Sequence, residues 1–398
     1  MDWYLYSGYK VIIKSALPQT QRFLKIGFWG LTLLNVGLLI LFHSLPAKAY
    51  WGLKVGLATF LFAQYFSKII WLLFLVMDDL IRLVKWVYSL FTSSSASVKG
   101  EPISRHSFIV KAGMLAGTGM IAALSWGIVK GAYDYRVKRR RIVLKNLPSS
   151  FDGFKIVQIS DIHSGSFWDT KAVMKGVELI QEQNADVIFF TGDLVNNQAS
   201  EMEPYMEVFN KLKAPHGVFS IFGNHDYGDY IEWASPEAKI QNLDYLKQIH
   251  KDLGWRLLMN EHARISIGDQ SIGVLGIENW GNKAHFPRYG KMEEAVKGTA
   301  DLPIKLLLSH DPSHWRGQVL KDYPDIDVMF AGHTHGMQFG VEIGKYRWSP
   351  VKYMYPEWAD LHTQGHQHLY VNRGFGFLGY PGRFGIHPEI TVIELKKG

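Results

Sequence analysis

Five short apolar runs in the C-terminal two thirds of the chain end in the same way, and this repetition restricts the possible folds strongly. Each run has the length and continuous apolar character of a strand that is buried on both faces. Each is followed directly by aspartate, asparagine or histidine, with glycine close by. Together with their polar endings, the runs occupy residues 154–165, 185–197, 217–228, 304–312 and 327–336.

The segments between the first runs have a different pattern. Residues 170–184 repeat their apolar positions at helical spacing. Alternating strands and helices predict an α/β layered fold, in which ligands bind beyond the carboxyl ends of the strands. Alone, each polar ending has an ordinary structural explanation: Asp161 as a helix cap, Asn224 as a turn residue, His310 as a core histidine. Five such endings together predict one common site.

The last run ends in a pair of histidines separated by one residue. If the strand continues, His333 and His335 point to the same side and Thr334 to the other. Gly332 and Gly336 predict a sharp turn or a close approach of the backbone.

The available side chains restrict the kind of metal site. The chain contains no cysteine, so a metal must be held by histidine, aspartate, glutamate, asparagine or backbone oxygen. These ligands suit divalent manganese, iron, zinc or magnesium. The candidate ligands are too many for one tetrahedral ion. They favour two ions that share a carboxylate, an arrangement that activates water and binds a phosphoryl group.

Five motifs follow one another in a fixed order: Asp161-Ile162-His163, Gly192-Asp193, Gly223-Asn224-His225-Asp226, His310 and Gly332-His333-Thr334-His335. This ordered set resembles the calcineurin-like metallophosphoesterase superfamily over roughly residues 145–398. The chain as a whole resembles the bacterial transmembrane branch of that superfamily. The resemblance implies a four-layer αββα sandwich of two mixed sheets.

The resemblance also implies roles for these residues. Two divalent ions, with Mn²⁺ expected, would share Asp193, and a hydroxide bridging them would be the nucleophile. His225 would stabilise charge on the phosphoryl group or protonate the leaving oxygen, with Asp226 orienting its ring. The remaining ligands would be Asp161, His163 and His335 for the first ion and Asn224, His310 and His333 for the second.

Three further segments are predicted to be available for substrate binding: residues 346–358, residues 362–368 and the glycine- and aromatic-rich residues 372–385. Arg373 and Arg383 are the candidate phosphate contacts in the last segment, and solvated surface arginines are the alternative. Met337 and Gln338, after the histidine pair, are predicted either to line the site or to serve in packing.

The first third of the chain has the composition of a membrane region. Residues 26–42 carry no charge and are long enough to span a bilayer. Residues 51–77 and 108–129 are also apolar, so we predict three spans, or four if residues 51–91 form a hairpin. The predicted domains are a membrane region at 1–130, a basic linker at 131–145 and a metallophosphoesterase domain at 146–398.

The positive charge of the chain is interpreted through this membrane region. The formal net charge is +7, but the clearest basic cluster, residues 135–141, directly follows an apolar segment. Lysine and arginine normally flank membrane spans in this way. We therefore expect a membrane partner, in a bacterial cytoplasmic (inner) membrane, and no nucleic acid partner.

The side of the membrane that the catalytic domain faces stays open. Residues 104–111, after a polar linker at 92–104, resemble a twin-arginine export signal in which His106 replaces the second arginine. Three spans with this signal favour the outer side. Basic residues 136–141 favour the cytoplasmic side, and a fourth span would agree with that placement.

We predict hydrolysis of a phosphodiester or pyrophosphate bond in a phosphorylated, lipid-linked substrate. UDP-2,3-diacylglucosamine, an intermediate of lipid A assembly, is the specific candidate. The alternatives are an exported phosphodiesterase or phospholipid-headgroup hydrolase, and a non-catalytic membrane binding protein on the same fold. Degenerate members lose metal ligands, whereas this chain keeps the whole expected set. The sequence does not indicate an oligomeric state.

Overall fold

The computed structural model divides the chain into two compact units, Met1–Trp126 and Gly127–Gly398. The polar linker predicted at 92–104 lies outside the described residues, as do the side chains of Arg105 and His106 in the export-like signal. The structure describes residues 1–46, 50–91, 105–283, 286–344 and 346–398.

The first unit is helical. Three stretches of the described residues are long and apolar enough to cross a membrane: Pro18–Ser44, Gly52–Phe91 and Ser107–Tyr133. The second lies in one continuous helix, so residues 51–91 do not form the hairpin considered above. The helices are α1 (Asp2–Ile13), α2 (Pro18–Ser44), α3 (Trp51–Phe91) and α4 (Arg105–Val129), whose last turn belongs to the second unit.

The second unit alternates strands with shorter helices. Its strands are β1 (Arg136–Leu144), β2 (Lys155–Ile159), β3 (Val187–Phe190), β4 (Val218–Ser220), β5 (Trp255–Leu257), β6 (Glu261–Ile267), β7 (Gln270–Gly276), β8 (Lys305–Leu308), β9 (Val328–Ala331), β10 (Val341–Ile343), β11 (Tyr346–Trp348), β12 (Asp360–Gln364), β13 (Gln367–Val371) and β14 (Glu389–Lys397). Its helices are α5 (Thr170–Gln181), α6 (Met206–Phe209), α7 (Pro236–Asp252), α8 (Met292–Ala295) and α9 (Leu320–Asp322).

Twelve of these strands form two six-stranded mixed sheets. Sheet A has the order β1-β14-β2-β3-β4-β5, and sheet B has the order β12-β13-β9-β8-β7-β6. In sheet A, β2 to β5 run parallel, whereas β14 is antiparallel to β2. In sheet B, β7, β8, β9 and β13 run parallel.

Apolar side chains fill three layers around these sheets. Phe189 of sheet A and Phe330 of sheet B meet between the sheets with ring centroids 5.2 Å apart. A second cluster packs α5, including Val173 and Val177, on the outer face of sheet A. A third packs Trp315 on the outer face of sheet B. This confirms the predicted four-layer αββα sandwich.

The segment predicted as a basic linker, residues 131–145, instead contains β1, which pairs in parallel with β14 at the edge of sheet A. Ile142 and Leu144 are buried, while Arg139 and Arg141 are exposed. An edge strand can carry many cations because they stay solvated, and such charges discourage pairing with another sheet.

Candidate dimetal site

The candidate ligands lie in loops that follow the carboxyl ends of strands in both sheets. In sheet A, β2 leads to Asp161 and His163, and β3 leads to Asp193. Because parallel strands end at the same edge of a sheet, these loops meet. The other ligands follow β4 (Asn224), β8 (His310) and β9 (His333 and His335).

The first group of ligands consists of Asp161, His163 and His335, and we call it cluster one. One candidate donor atom from each lies within 4.8 Å of the others, and all three residues are buried. His335 Nε2 is 3.2 Å from Asp161 Oδ1 and 3.1 Å from His163 Nε2. The three donors therefore surround a space suited to one ion.

The second group consists of Asp193, His310, His333 and Asn224, and we call it cluster two. His310 Nε2 lies 3.1 Å from Asp193 Oδ2 and 3.3 Å from His333 Nδ1. Asp193 Oδ2 also lies 3.5 Å from Nε2 of His163 in cluster one. Asp193 thus stands between the two clusters, in the position that a shared ligand requires.

Asn224 provides a direct test of whether these residues fit metal ions. Its Oδ1 is buried and has no hydrogen-bond partner among the described residues, while its Nδ2 donates to Tyr230 Oη over 2.9 Å. A buried acceptor without a partner is unfavourable in a folded protein. A divalent cation would satisfy this oxygen, and the oxygen and imidazole donors around it suit the same ions.

Electrostatics favours the protonation states that bind cations at Asp161, Asp193 and His163, but not at His310. Burial alone raises the pKa of Asp161 and of Asp193, but the neighbouring histidines hold both pKa values below the ordinary range. Burial lowers the pKa of His163, so its ring is neutral. For His310, burial lowers the pKa, and the Asp193 carboxylate more than reverses this, raising the pKa to about 10. A bound cation would replace that proton.

Left-handed backbone is concentrated at these ligands. The φ angles are +52° at Asp161, +49° at His163, +61° at Asp193, +71° at His333 and +50° at His335. Such values are uncommon for residues with a Cβ and cost of order 1–3 kcal/mol each. Strain of this kind persists where the surrounding structure holds it, as at functional sites.

His333 and His335 were predicted to point to the same side of a continuing strand, but they reach the two clusters in a different way. Since β9 ends at Ala331, His333 and His335 lie beyond the strand and do not share a strand face. Left-handed turns at both residues send one ring to each cluster instead. The predicted close approach at Gly332 is confirmed, because a Cβ there would overlap the side chains of Ser160 and Asp161.

His225 faces the cavity, but Asp226 does not orient its ring. His225 Nδ1 lies 2.8 Å from the backbone oxygen of Asn196. Asp226 is buried and accepts hydrogen bonds of 2.8 Å from the backbone amides of Asp193, Leu194 and Gly223. The predicted role of Asp226 was therefore wrong: a carboxylate already engaged by several amides holds the Asp193 loop. Sequence analysis could not indicate the contact between His225 and Asn196, because a backbone carbonyl supplies it.

Arg373 and Arg383 are buried, which contradicts the prediction that they contact substrate. Arg373 forms an ion pair with Glu389 and another with Glu342 at 3.1 Å. Arg383 Nη2 lies 3.2 Å from Nδ1 of His335, and its guanidinium donates to the backbone oxygens of Gly374 and Gly376. Both side chains are used inside the protein, and neither lines the cavity.

A cavity of about 330 Å³ opens above the clusters. Within the described residues, no lysine or arginine lines it. Tyr355 Oη lies 3.0 Å from His333 Nε2. Sequence analysis indicated the segments that supply part of this wall but not the individual residues. Besides the candidate ligands, Thr334 and His225 line the cavity. The rest of its wall consists of Tyr230, Phe286, Val351, Tyr355 and Leu378.

Met337 and Gln338 do not line this cavity. The Met337 side chain is 54% exposed. Gln338 is buried, and its Nε2 donates to the backbone oxygens of Tyr380 and Gly382 over 2.7 and 3.0 Å. Of the two predictions made for these residues, the second, a role in packing, fits Gln338.

Comparison with known families and proteins agrees with this geometry. The family model described as calcineurin-like phosphoesterase matches residues 154–337, and one described as probable calcineurin-like phosphoesterase, transmembrane domain, matches residues 1–132. The uncharacterized metallophosphoesterase YkuE of Bacillus subtilis is 30% identical over 294 residues, covering 71% of this chain and 94% of YkuE.

For two other relatives the similarity covers less of this chain and less of the relative than it does for YkuE. Phosphodiesterase YaeI of Escherichia coli is 29% identical, over 61% of this chain and 82% of YaeI. A transmembrane protein with metallophosphoesterase domain of Danio rerio is 30% identical over 68% of this chain, which spans only 60% of that relative. The motifs, the two-sheet fold and the match to YkuE show that the chain belongs to the calcineurin-like metallophosphoesterase family.

Proposed function

We propose that this chain is a membrane-attached, metal-dependent phosphodiesterase. The observation that carries the proposal is the wall of the cavity, which among the described residues has aromatic and aliphatic side chains and no lysine or arginine. A phosphate monoester with two negative charges is usually bound by such cations. A diester carries one negative charge and two organic groups, which suit two cation sites and an apolar wall. The name of the relative YaeI, a phosphodiesterase, supports the same class.

The candidate ligands would hold the metal ions that activate water for hydrolysis. Two divalent ions, with Mn²⁺ proposed, would lower the pKa of water from 15.7 to about 7 and polarise the phosphoryl group. Clusters one and two would hold them through Asp193 and the six other ligands. In the reaction, a water oxygen bonds to phosphorus, the bond from phosphorus to the leaving oxygen breaks, and that oxygen takes up a proton.

His225 is suited to the proton transfer. Nδ1 can donate to the backbone oxygen of Asn196 in the neutral ring and in the imidazolium, so the proton passed to the leaving oxygen would be carried by Nε2 of the imidazolium. His225 lines the cavity and its backbone amide donates to Asp193 Oδ1 over 2.8 Å. The ring is therefore fixed beside the shared carboxylate, where it can protonate the leaving oxygen.

The specific substrate that we propose to test first is UDP-2,3-diacylglucosamine, whose pyrophosphate lies between a nucleotide and an acylated sugar. We place the membrane region within residues 1–130 and catalysis in the two-sheet unit, with β1 included, in a bacterial cytoplasmic (inner) membrane. The three candidate spans and the bacterial relatives support this placement.

The test uses the full chain in detergent with Mn²⁺. We expect bis(4-nitrophenyl) phosphate to be hydrolysed faster than 4-nitrophenyl phosphate, and a faster monoester reaction would contradict the proposal. Phosphorus NMR of UDP-2,3-diacylglucosamine would show UMP and lipid phosphate if the pyrophosphate is a substrate. Metal binding without hydrolysis of any of the three compounds would favour the non-catalytic alternative.

A further inference from the structure

The end of the last candidate span is part of the catalytic unit. The span covers Ser107–Tyr133, whereas the catalytic unit begins at Gly127. The backbone oxygen of Gly127 accepts a hydrogen bond of 3.1 Å from the amide of Arg383. A Cβ on Gly127 would lie 2.7 Å from Tyr380 Oη, so glycine is needed for this approach. Residues 380–383 are thus held against the last turn of the span.

The same segment holds the turn that carries His335. Gln338 Nε2 donates to the backbone oxygens of Tyr380 and Gly382, and the amide of Leu378 donates to Gln338 Oε1 over 2.6 Å. The Arg383 side chain contacts His335, while its backbone amide contacts Gly127. One short segment, residues 378–383, therefore joins the end of the candidate span to the turn that carries His335.

Exposed apolar side chains lie around this turn. Met337, Tyr353 and Met354 are 54%, 76% and 51% exposed, and we call them the apolar rim. Ser349 Oγ donates to the backbone oxygen of Gly336 over 2.7 Å, which joins the turn carrying Tyr353 to the turn carrying Met337. Grouped apolar side chains on a protein surface mark a site of interaction.

Aromatic side chains surround the end of the span. Trp168 is 51% exposed and packs against Tyr133 and Phe377, with ring centroids 5.3 and 4.9 Å apart. Tryptophan and tyrosine are enriched at the interface between membrane and water. Phe377 is followed directly by Leu378, which lines the cavity. The wall of the cavity is therefore continuous with side chains typical of that interface.

We propose that the apolar rim enters the bilayer interface and that the cavity takes its phosphodiester from a lipid in that bilayer. This inference rests on the proposed phosphodiesterase function. The lipid chains stay among the apolar side chains of the rim, Val351 and Leu378, while the phosphodiester reaches the two clusters. The bond that breaks and the bond that forms are those described above.

Immersion of the rim is measured independently of catalysis. Because the chain has no cysteine, the variant Tyr353→Cys offers a single site for a nitroxide spin label. We would reconstitute the full chain in vesicles of phosphatidylcholine and phosphatidylglycerol. Collisions of the label with oxygen should exceed those with a water-soluble nickel complex. The matched control is Ile240→Cys on α7, which is 59% exposed and should show the opposite order. A water-exposed label at position 353 would overturn the immersion of the rim and indicate a protein partner for it.

The lipid origin of the substrate is tested with two compounds that share the same scissile bond. Hexadecyl 4-nitrophenyl phosphate is carried in the vesicles, and methyl 4-nitrophenyl phosphate is dissolved in water. We expect kcat/KM to be greater for the lipid compound by about tenfold or more, because binding of its chain contributes to the reaction. The variant M337S/M354S should lose most of this ratio, whereas the control V143S/I240S, changed at exposed apolar positions of β1 and α7, should keep it.

The outcomes separate this inference from the proposed function. Hydrolysis of both compounds with equal kcat/KM would overturn the lipid origin and leave the phosphodiesterase intact. An unchanged ratio in M337S/M354S would overturn the role of the rim. Hydrolysis of neither compound would overturn the phosphodiesterase function and the lipid-substrate inference with it, while the spin label would still decide whether the rim is immersed.

Discussion

The two candidate clusters meet at Asp193 but differ in charge and in the side chains behind them. Cluster one has a carboxylate of its own, Asp161, whereas the further ligand proposed for cluster two is the neutral amide of Asn224. A guanidinium, that of Arg383, contacts His335 in cluster one. A phenol, that of Tyr355, contacts His333 in cluster two. Two similar ion-binding positions in one site can therefore differ in affinity. Because cluster two has a neutral amide where cluster one has a carboxylate, we expect cluster two to lose its ion first.

The largest effect should come from the ligand that the clusters share. Asp193→Asn removes the negative charge between them and should lower kcat by about 10³-fold or more, since metal ions contribute several kcal/mol to such reactions. The measurement is hydrolysis of bis(4-nitrophenyl) phosphate with Mn²⁺. Asp244→Asn, at a carboxylate 65% exposed, is the control and should keep full activity. Activity within tenfold of the unchanged chain in Asp193→Asn would show that Asp193 is not shared.

A smaller and more selective effect is expected at Asn224. Asn224→Ala removes the amide oxygen of cluster two and leaves cluster one complete, so kcat should fall by about 10²-fold, a loss similar to that of one well-placed polar group. Mass spectrometry of the metal content after gel filtration should find one tightly bound ion per chain in this variant and two in the unchanged chain. Two tightly bound ions in Asn224→Ala would contradict the assignment of Asn224.

Arg383 tests the support behind cluster one. Arg383→Met leaves the backbone oxygen of Gly376 without its donor, whereas Gly374 keeps the amide of Glu389, and a buried group left without a partner costs about 1–3 kcal/mol. The free energy of unfolding of the catalytic unit, followed in urea, should fall accordingly. Arg264→Met breaks an exposed pair with Asp301 and should change it little. Equal losses in the two variants would mean that the Arg383 contacts contribute no special stability.

Tyr355 tests the support behind cluster two and should give the smallest effect. Tyr355→Phe keeps the ring and removes the oxygen that lies 3.0 Å from His333 Nε2. Loss of a group that orients a metal ligand typically lowers metal affinity by about 10–100-fold, and we expect the lower end because only one contact is lost. Titration with Mn²⁺ should show weaker binding at one position only. Equal weakening at both positions would remove the distinction between the clusters.

The sequence predicted the parts of this molecule that depend on short segments. Strand, turn and polar ending lie within a dozen residues of each other, so Asp161 and His163 could be related to β2, and the four-layer fold followed from the resemblance that such motifs carry. The grouping of Asp193, His310 and His333 was implied by the family resemblance alone, because these residues follow strands of two different sheets. The assigned roles of these ligands remain predictions.

The parts that sequence analysis missed depend on distant partners. Arg373 was expected to contact the substrate phosphate, with a solvated surface position as the alternative, but Glu389 of β14 lies beside it and permits burial of the charge. Asp226 was assigned to the nearest histidine in the sequence, whereas the amides it binds include those that follow β3. The cations of residues 136–141 looked like a linker because their partner strand β14 lies at the other end of the unit.

The position of β14 has a consequence for the biosynthesis of the protein. β14 lies between β1 and β2 in sheet A, and Thr391 pairs with Gln158. A strand can pair only after it has left the ribosome, so sheet A is completed after nearly the whole unit has been translated, whereas α1 to α4 emerge much earlier. Contacts between residues far apart in the sequence also form slowly. The three candidate spans can therefore enter a membrane while sheet A is still incomplete, and the ligand loops that follow the strands of sheet A reach their final positions only after that step.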